Sequence, residues 1–578
     1  MLRVRRIHGR FGMPPFAVSR VRATAFALSA IALTLLASAC EGNKSSSAAS
    51  GTGGTIIIVS TSEPETLFPP RASNAQDLEV VGSVFDRLAE IGPELHTTGD
   101  VGFTARLAKR WTWSNDSLSI AFDLDPAIRW HDGKPLRAED VRFTFATYTS
   151  KAVASEASSL LGNIDSVSVR DSLTAVFWFK RRTPQQFMDA TYSMYILPSH
   201  LLSSVPDTAL VNAPFGRAPV GTGRFRFAKW DAKSRLEIVA DTANARGRAV
   251  LDRVIWTFVS DPGAASLRVA SGEADFLYKV RGVDVAQVAS SSHARVERTA
   301  SLTYAFVGFN LTARRAASTT ARPHPVLGDV RVRQALAMAV DRATMVRTVL
   351  DSAGVVAFGP APRVLIPDTS ALVPLTYSVT AANALLASAG WIDSNGDGVR
   401  DRNGVRLAFE LLVPSNGPTK PKFAVLLQAA FKAVGADVSV QNMDGSALGP
   451  RLEASDFDAW VGAYNTNPGL QGMRQTWMSR GASNAQHYAS RAFDADVDSA
   501  LTSFDATRSR ALWTKAFQLA IDEAPSIWLY EEKIPVGVHR RIRMAPLRAD
   551  AWFANLADWS VDQAQRIDRD NVGLRGAR

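Results

Sequence analysis

The sequence predicts an α/β protein built in more than one lobe, and three observations carry this. Short β-branched runs alternate with amphipathic helical stretches along the chain. More than 500 residues follow Thr55, too many for a single hydrophobic core. The composition, 46% apolar and 21% charged, is that of a globular protein, and no run beyond residue 54 is long enough to span a bilayer. No repeat of the solenoid kind is present.

The first 39 residues stand apart. Residues 1–22 hold six arginines and no acid, and residues 23–39, ATAFALSAIALTLLASA, are nearly all apolar. This is the layout of an export signal, with Met1 or Met13 as its start. At 17 residues, broken by Thr24, Ser29, Thr34 and Ser38, the run is short for a membrane-spanning helix, which needs about 20. Cys40 follows, the one cysteine in 578 residues. Ala37-Ser38-Ala39-Cys40 resembles a bacterial lipobox, in which the thiol is alkylated with diacylglycerol and becomes the new N-terminus. Ala37 stands where Leu or Val is usual, and the competing reading is an ordinary signal or uncleaved anchor with an incidental cysteine. Residues 40–54 are then a lipidated cysteine and a flexible Ser/Gly tether spanning roughly 20 Å. The whole chain carries +10; without the signal about +4 remains, too little to point to nucleic acid. One cysteine also permits no intrachain disulfide.

The mature chain opens on TIIIVS, Thr55 to Ser60, which reads as a buried strand. In EPETLFPP the paired prolines exclude regular structure. Leu118, Ile120, Phe122 and Leu124 alternate with polar residues, a strand pattern that leads to a hairpin signal at Asp132-Gly133. A helix follows, with Glu139 and Asp140 in its first turn and Val141, Phe145 and Tyr148 on one face. Val332, Leu336 and Val340 share a helical face, and Asp341 is placed to cap the next helix with Thr344 at its third position. Phe423, Leu426, Leu427, Ala430, Phe431 and Val434 form an apolar stripe, Gly435 stops that helix, and Val438 and Val440 begin a strand.

The segment FDLDPAIRWHDGKPLRAEDVRFTF resembles the signature region of the extracytoplasmic solute-binding proteins, family 5, which serve peptide, dipeptide and nickel ABC transporters. The likeness continues in TIIIVSTSEPETLFPP, LAKRWTWSNDSLSIAFDL, PVGTGRFRF (Pro219 to Phe227), ASGEADF (Ala270 to Phe276), VGFN (Val307 to Asn310), DVRVRQALAMAVDRATMV and NAQHYASRAFDADV, in family order. The resemblance implies an α/β, two-lobed periplasmic-binding-protein-like fold (class II, large peptide-binding type) with a hinge and an interlobe ligand cleft. Lobe I would comprise 55–302, with an extra subdomain at about 86–214, completed by 535–578; lobe II would comprise 303–534. The crossings would fall near Thr303 to Asn310 and Leu529 to Val536. It implies a monomeric substrate-binding lipoprotein, facing periplasm or cell exterior, that captures an oligopeptide or other small solute by lobe closure and hands it to permease subunits. An envelope lipoprotein of the same fold that senses a ligand or acts as a chaperone is the alternative.

In peptide-binding members an aspartate in a W-x-A-D-Y-x-x-P-like segment holds the peptide ammonium. The corresponding stretch here is AWVGAYNTNP, Ala459 to Pro468, and Tyr464 occupies that place. Tyr464, Trp460 and Trp477 are candidates for stacking on a ligand, against core packing as the competing reading. The resemblance adds Glu63 and Asn484 as cleft candidates. Asp393, Asn395, Asp397, Val399 and Asp401 follow calcium-loop spacing, although Gly404 stands where the closing glutamate would be; a tight surface turn is the competing reading, and no other cofactor is expected. Catalysis is not expected: no H-E-x-x-H, phosphate loop or G-x-S-x-G elbow occurs, and His131 in WHDG is placed to shape a turn.

Overall fold

The computed structural model describes residues 52–314, 322–366 and 368–571. The signal, Cys40 and the tether up to residue 51 lie outside the described residues.

Thr55–Ser60 forms the first strand, as its β-branched run predicts, and pairs in parallel with Arg253–Phe258 and Phe276–Leu277. Antiparallel Arg235–Ala240 and Phe225–Asp231 extend the sheet outward. On the far side, Ala408–Pro414 lies parallel to Asp437–Met443 and Ala459–Asn465. Two long strands, Ala294–Phe309 and Ser526–His539, run antiparallel through the middle and belong to both halves of this 11-stranded sheet. They pair in register from Ala294 with His539 to Ala300 with Lys533, slip, and resume at Tyr304 with Glu531. The slip is a bulge stapled by Ser301, whose hydroxyl donates to the Glu532 carbonyl at 2.9 Å and accepts from the Thr303 amide at 3.2 Å.

Each half has its own core. One gathers Ile56, Ile58, Val254, Trp256, Phe276 and Val538 with Trp552 and Trp559 from near the C-terminus. The other gathers Val307, Leu336, Leu411, Phe423, Phe431 and Val461. A four-stranded antiparallel sheet, Ala108–Trp113, Ser119–Leu124, Thr174–Phe179 and Ile164–Asp171, has a separate core around Phe122, Phe177 and Phe187.

Most local expectations hold. The helix after WHDGKPLR spans Ala138–Thr149 and buries Val141 and Tyr148. Asp341 caps Arg342–Leu350 by accepting from the Thr344 amide, and Thr419–Lys432 buries Phe423, Leu427 and Phe431 before Gly435 turns at φ +78°. Three expectations change. The paired prolines start a short 3-10 turn, Pro69–Arg71, because proline suits the first helical position, where no amide bond is needed. The Asp132-Gly133 turn forms, with the Gly133 amide on the Trp130 carbonyl, but only one bridge, Arg129 with Pro135, flanks it, since Pro135 brings no N–H to a ladder. Leu118 lies just outside its strand and is 37% exposed.

Candidate ligand cleft

A cavity of about 1010 Å³ opens where the bulge of the long strands meets the two halves of the sheet. Ser301, Leu302 and Thr303 contribute to its wall, as do Asn465 to Pro468 at the end of Ala459–Asn465 and residues Ala549 to Phe553. Helix Ala75–Val84 supplies Ala75, Leu78 and Glu79.

The motifs of the sequence hold that helix in place. Its N-terminus is capped by Asn74, and Asp77 accepts the Glu65 and Thr66 amides at 2.7 and 3.3 Å, which ties the EPETLFPP loop to the first turn. Its C-terminal end rests on PVGTG: the Gly223 amide donates to the Val84 carbonyl, and a Cβ on Gly221 would lie 2.0 Å from that same oxygen. Thr222 donates to Asp86, which also takes both its oxygens to Arg246 at 2.6 Å. His131 locks the loop from behind. Its Nδ1 accepts from the Gly221 amide, so the proton sits on Nε2, which donates to the Gly223 carbonyl at 2.9 Å. Burial lowers the His131 pKa and favours that neutral ring.

The wall made by this helix is aromatic with ionisable groups set into it. Glu79 is 6% exposed; its two oxygens accept the indole N–H groups of Trp552 at 3.0 Å and Trp256 at 3.2 Å. Burial pushes its pKa up to about 7 against the opposing effect of those two donors. Tyr278 stacks on Trp552 with ring centroids 5.8 Å apart and planes at 20°. Arg87 lies between Tyr192 and Tyr195, 4.3 and 4.2 Å from their centroids, and pairs with Glu90 at 3.3 Å. Facing them, Asn465, Thr466 and Asn467 bring amides and a hydroxyl and no charge.

Glu63, Trp460, Tyr464, Trp477 and Asn484, singled out from sequence, are not among the residues that line this cavity. Trp460, Tyr464 and Trp477 do come together, packed around Phe306 at 5.3, 5.1 and 5.3 Å. Trp460 and Trp477 are 6% and 0% exposed, and the Trp477 indole donates to Tyr304 Oη at 2.8 Å: this is an aromatic core behind the cleft. Tyr464 donates to the Ser483 carbonyl at 3.1 Å, one residue short of the wall, and burial raises its pKa to about 12. Asn484 staples its own loop, donating to the Met478 and Tyr488 carbonyls and accepting from the Tyr488 amide. Glu63 accepts from the Trp230 indole and the Lys233 amide on the Phe225–Asp231 hairpin.

In the 393–401 loop, Asp393 accepts the Gly396, Asp397 and Gly398 amides, and Asp401 accepts from Ser394. Asp397 accepts from Asn395 and the Val399 amide and pairs with Arg406 at 2.5 Å, which holds its pKa down to about 2. Among the described residues no group of three or more His, Cys, Asp or Glu is arranged to hold a metal.

Glu79, Arg87, Tyr278 and Trp552 were missed from sequence. Glu79 did carry a signal: it is set among Leu78, Val80 and Val81, and no Lys or Arg occurs between Arg71 and Arg87 to pair with it.

The model of the bacterial extracellular solute-binding proteins, family 5 (middle), matches residues 102–486, more than half the chain. The oligopeptide-binding protein AppA of Bacillus subtilis is 27% identical over 441 residues, covering 74% of this chain and 78% of AppA. Its structure in complex with a nonapeptide superposes with a TM-score of 0.64 at 24% identity, over 88% of this chain and 99% of that one. The ABC transporter substrate-binding protein CtaP of Listeria monocytogenes gives a TM-score of 0.74 at 19% identity, over 89% and 100%. NikZ of Campylobacter jejuni, solved with Ni(L-His), gives 0.65 at 23%, over 88% and 99%. Among the described residues no helix is long and apolar enough to cross a membrane.

Proposed function

The chain belongs to the bacterial extracellular solute-binding proteins of family 5, and from that premise we propose that it is the capture component of an ABC importer for peptides, anchored to a membrane through lipidated Cys40 and acting as a monomer. The observation that carries the reading is the cavity of about 1010 Å³, walled by both halves of the sheet and floored by the strands that join them. A solute that touches both walls stabilises the closed form by its differential affinity for that form. The hinge is assigned to the bulge at Ser301 to Thr303 and its partner strand near Glu531 to Lys533, where the ladder is interrupted and can bend at least cost. The proposed division remains lobe I at 55–302, with a subdomain at about 86–214 and completion by 535–578, and lobe II at 303–534; the separate cores around Trp256, Phe122 and Phe423 support it. The likeness to AppA, an oligopeptide-binding protein, supports peptides as the solute; with Tyr464 in place of the expected aspartate, the amine is held elsewhere. Delivery of the captured solute to a membrane permease follows from the family. No catalytic role is assigned.

The chain from Glu41 onward, which contains all the described residues, is purified without denaturation and then unfolded, and the released small molecules are identified by mass spectrometry. Peptides are the expected result. A metal chelate or glycan would overturn the peptide assignment while keeping capture, and an empty cleft that gains no thermal stability from peptide pools would favour sensing or chaperoning. The 393–401 loop is proposed to fold as a turn without calcium, its carboxylates being occupied by amides and Arg406; excess EDTA is expected to leave the thermal midpoint unchanged, and a drop would overturn this.

A further inference from the structure

Glu79 is a buried acid at the edge of a large cavity, and no cation has come to meet it. Apart from Lys279, the charged groups on the elements around it are engaged elsewhere, Arg71 of the same cavity wall donating to the Ala154 carbonyl at 2.9 Å. On its own helix, Asp77 holds the Glu65 and Thr66 amides. On the strand that brings Trp256, Arg253 lies 3.8 Å from Glu237. On the segment that brings Trp552, Arg548 pairs with Asp550 and Glu90, and Asp558 pairs with Arg224 at 2.5 Å. Next to Phe276–Leu277 stand Tyr278, a neutral phenol whose pKa burial raises to about 12, and Lys279, which is exposed and has no ion-pair partner among the described residues. Arg87 faces Glu90 and its two tyrosines. Glu65 and Glu156, the other acids of this wall besides Asp550, are exposed at its rim.

Two features say what would complete the site. Both carboxyl oxygens already receive an indole N–H, a donor set that suits the carboxylate and leaves only the charge uncompensated. Beside them the Trp552–Tyr278 stack offers aromatic surface, which attracts ammonium and guanidinium groups. The opposite wall, Asn465 to Pro468, has no charge of its own to compete for either.

We propose that Glu79 is the subsite for a cationic group of the captured solute, an ammonium or guanidinium seated against the carboxylate and the Trp552–Tyr278 stack. This deepens the peptide-capture reading and rests on it: charge is recognised from the wall of helix Ala75–Val84 and not from the Tyr464 segment. Seating the cation displaces the carboxyl proton to solvent, so binding of a group that stays charged strengthens as pH rises through about 7. Between pH 6 and pH 8 the ionised fraction of a group titrating at about 7 rises about tenfold, and affinity rises with it.

The test uses the chain from Glu41 onward at pH 6 and pH 8, with three probes: a tryptic pool of casein peptides, the same pool with amines acetylated and arginines capped, and agmatine. The expected result is capture of the unblocked pool over the blocked one, and agmatine binding about tenfold tighter at pH 8 than at pH 6, with proton release seen by calorimetry near pH 7. Glu79→Gln loses both the preference and the pH dependence. Because that variant leaves one indole without an acceptor, its melting curve is recorded, and the wild-type pH comparison stands without it. Equal capture of blocked and unblocked pools, or agmatine binding that ignores pH, overturns the subsite and leaves peptide capture standing. Agmatine binding with the stated pH dependence but no capture of either pool upholds the subsite and removes peptides as the solute. Binding of none of the three overturns both.

Discussion

Gly221 has room for no side chain, since a Cβ would meet the Val84 carbonyl oxygen at 2.0 Å, and backbone on both sides cannot yield. Gly221→Ala is therefore expected to cost about 2–4 kcal/mol, read by urea denaturation, and to weaken solute capture as well because the helix that carries Glu79 moves. Asp189 sits in Gln186–Thr191, where burial pushes its pKa up to about 7. A carboxyl whose pKa is higher folded than unfolded holds more protons when folded, so its contribution to stability falls as pH rises from about 4 to 7. Asp189→Asn is expected to stabilise the protein at pH 8 by on the order of 2 kcal/mol and to change nothing at pH 4, measured by melting at both pH values. At this scale the sequence was legible for residues whose partners are close by, such as Asp341 and Thr344. It was opaque for Glu79, whose two indole partners lie 177 and 473 positions away.

Among the elements, the first strand depends on a buried ionic cluster. Arg541, 3% exposed, donates to Asp275 at 3.0 Å, to Asp570 at 2.7 Å and to the Thr55 carbonyl at 2.8 Å. Asp275 accepts the Ile57 amide, and Asp570 accepts the Thr55 amide, both at 2.8 Å. The aspartate of ASGEADF thus serves the edge of a strand more than 200 residues earlier in the chain. Arg541→Met would leave buried Asp570 without its cation and Asp275 with Arg569 alone, at 2.7 Å, and a loss of about 3 kcal/mol is expected, seen as a lowered denaturation midpoint with early hydrogen exchange in Thr55–Ser60. The helix Thr419–Lys432 could be read from spacing because Phe423, Leu427 and Phe431 recur every four residues on one face. The first strand's neighbours could not, since pairing between distant segments leaves no mark on either alone.

For the whole molecule, the tether and the cleft pose different tests. Cys40→Ala in the full chain is expected to move the protein from the membrane fraction to the soluble one and to abolish incorporation of labelled fatty acid, with solute capture by the released protein unchanged. The two-lobed plan was accessible from sequence only through the resemblance carried by eight motifs in order, because the half of the sheet containing Thr55–Ser60 is completed by residues from near the C-terminus. That discontinuity sets an order in time. The backbone amide of Thr55 finds its acceptor on Asp570, 515 residues downstream, and Ala294–Phe309 finds its long partner only in Ser526–His539. A chain that emerges N-terminus first meets the parallel partners of its first strand, Arg253–Phe258 and Phe276–Leu277, by mid-length, while the Thr55 amide and the long strand Ala294–Phe309 wait for the tail. Whatever side of a membrane the chain folds on, the lobe that begins it is the one closed last, when the tail arrives to fill the Asp570 and Ser526–His539 places.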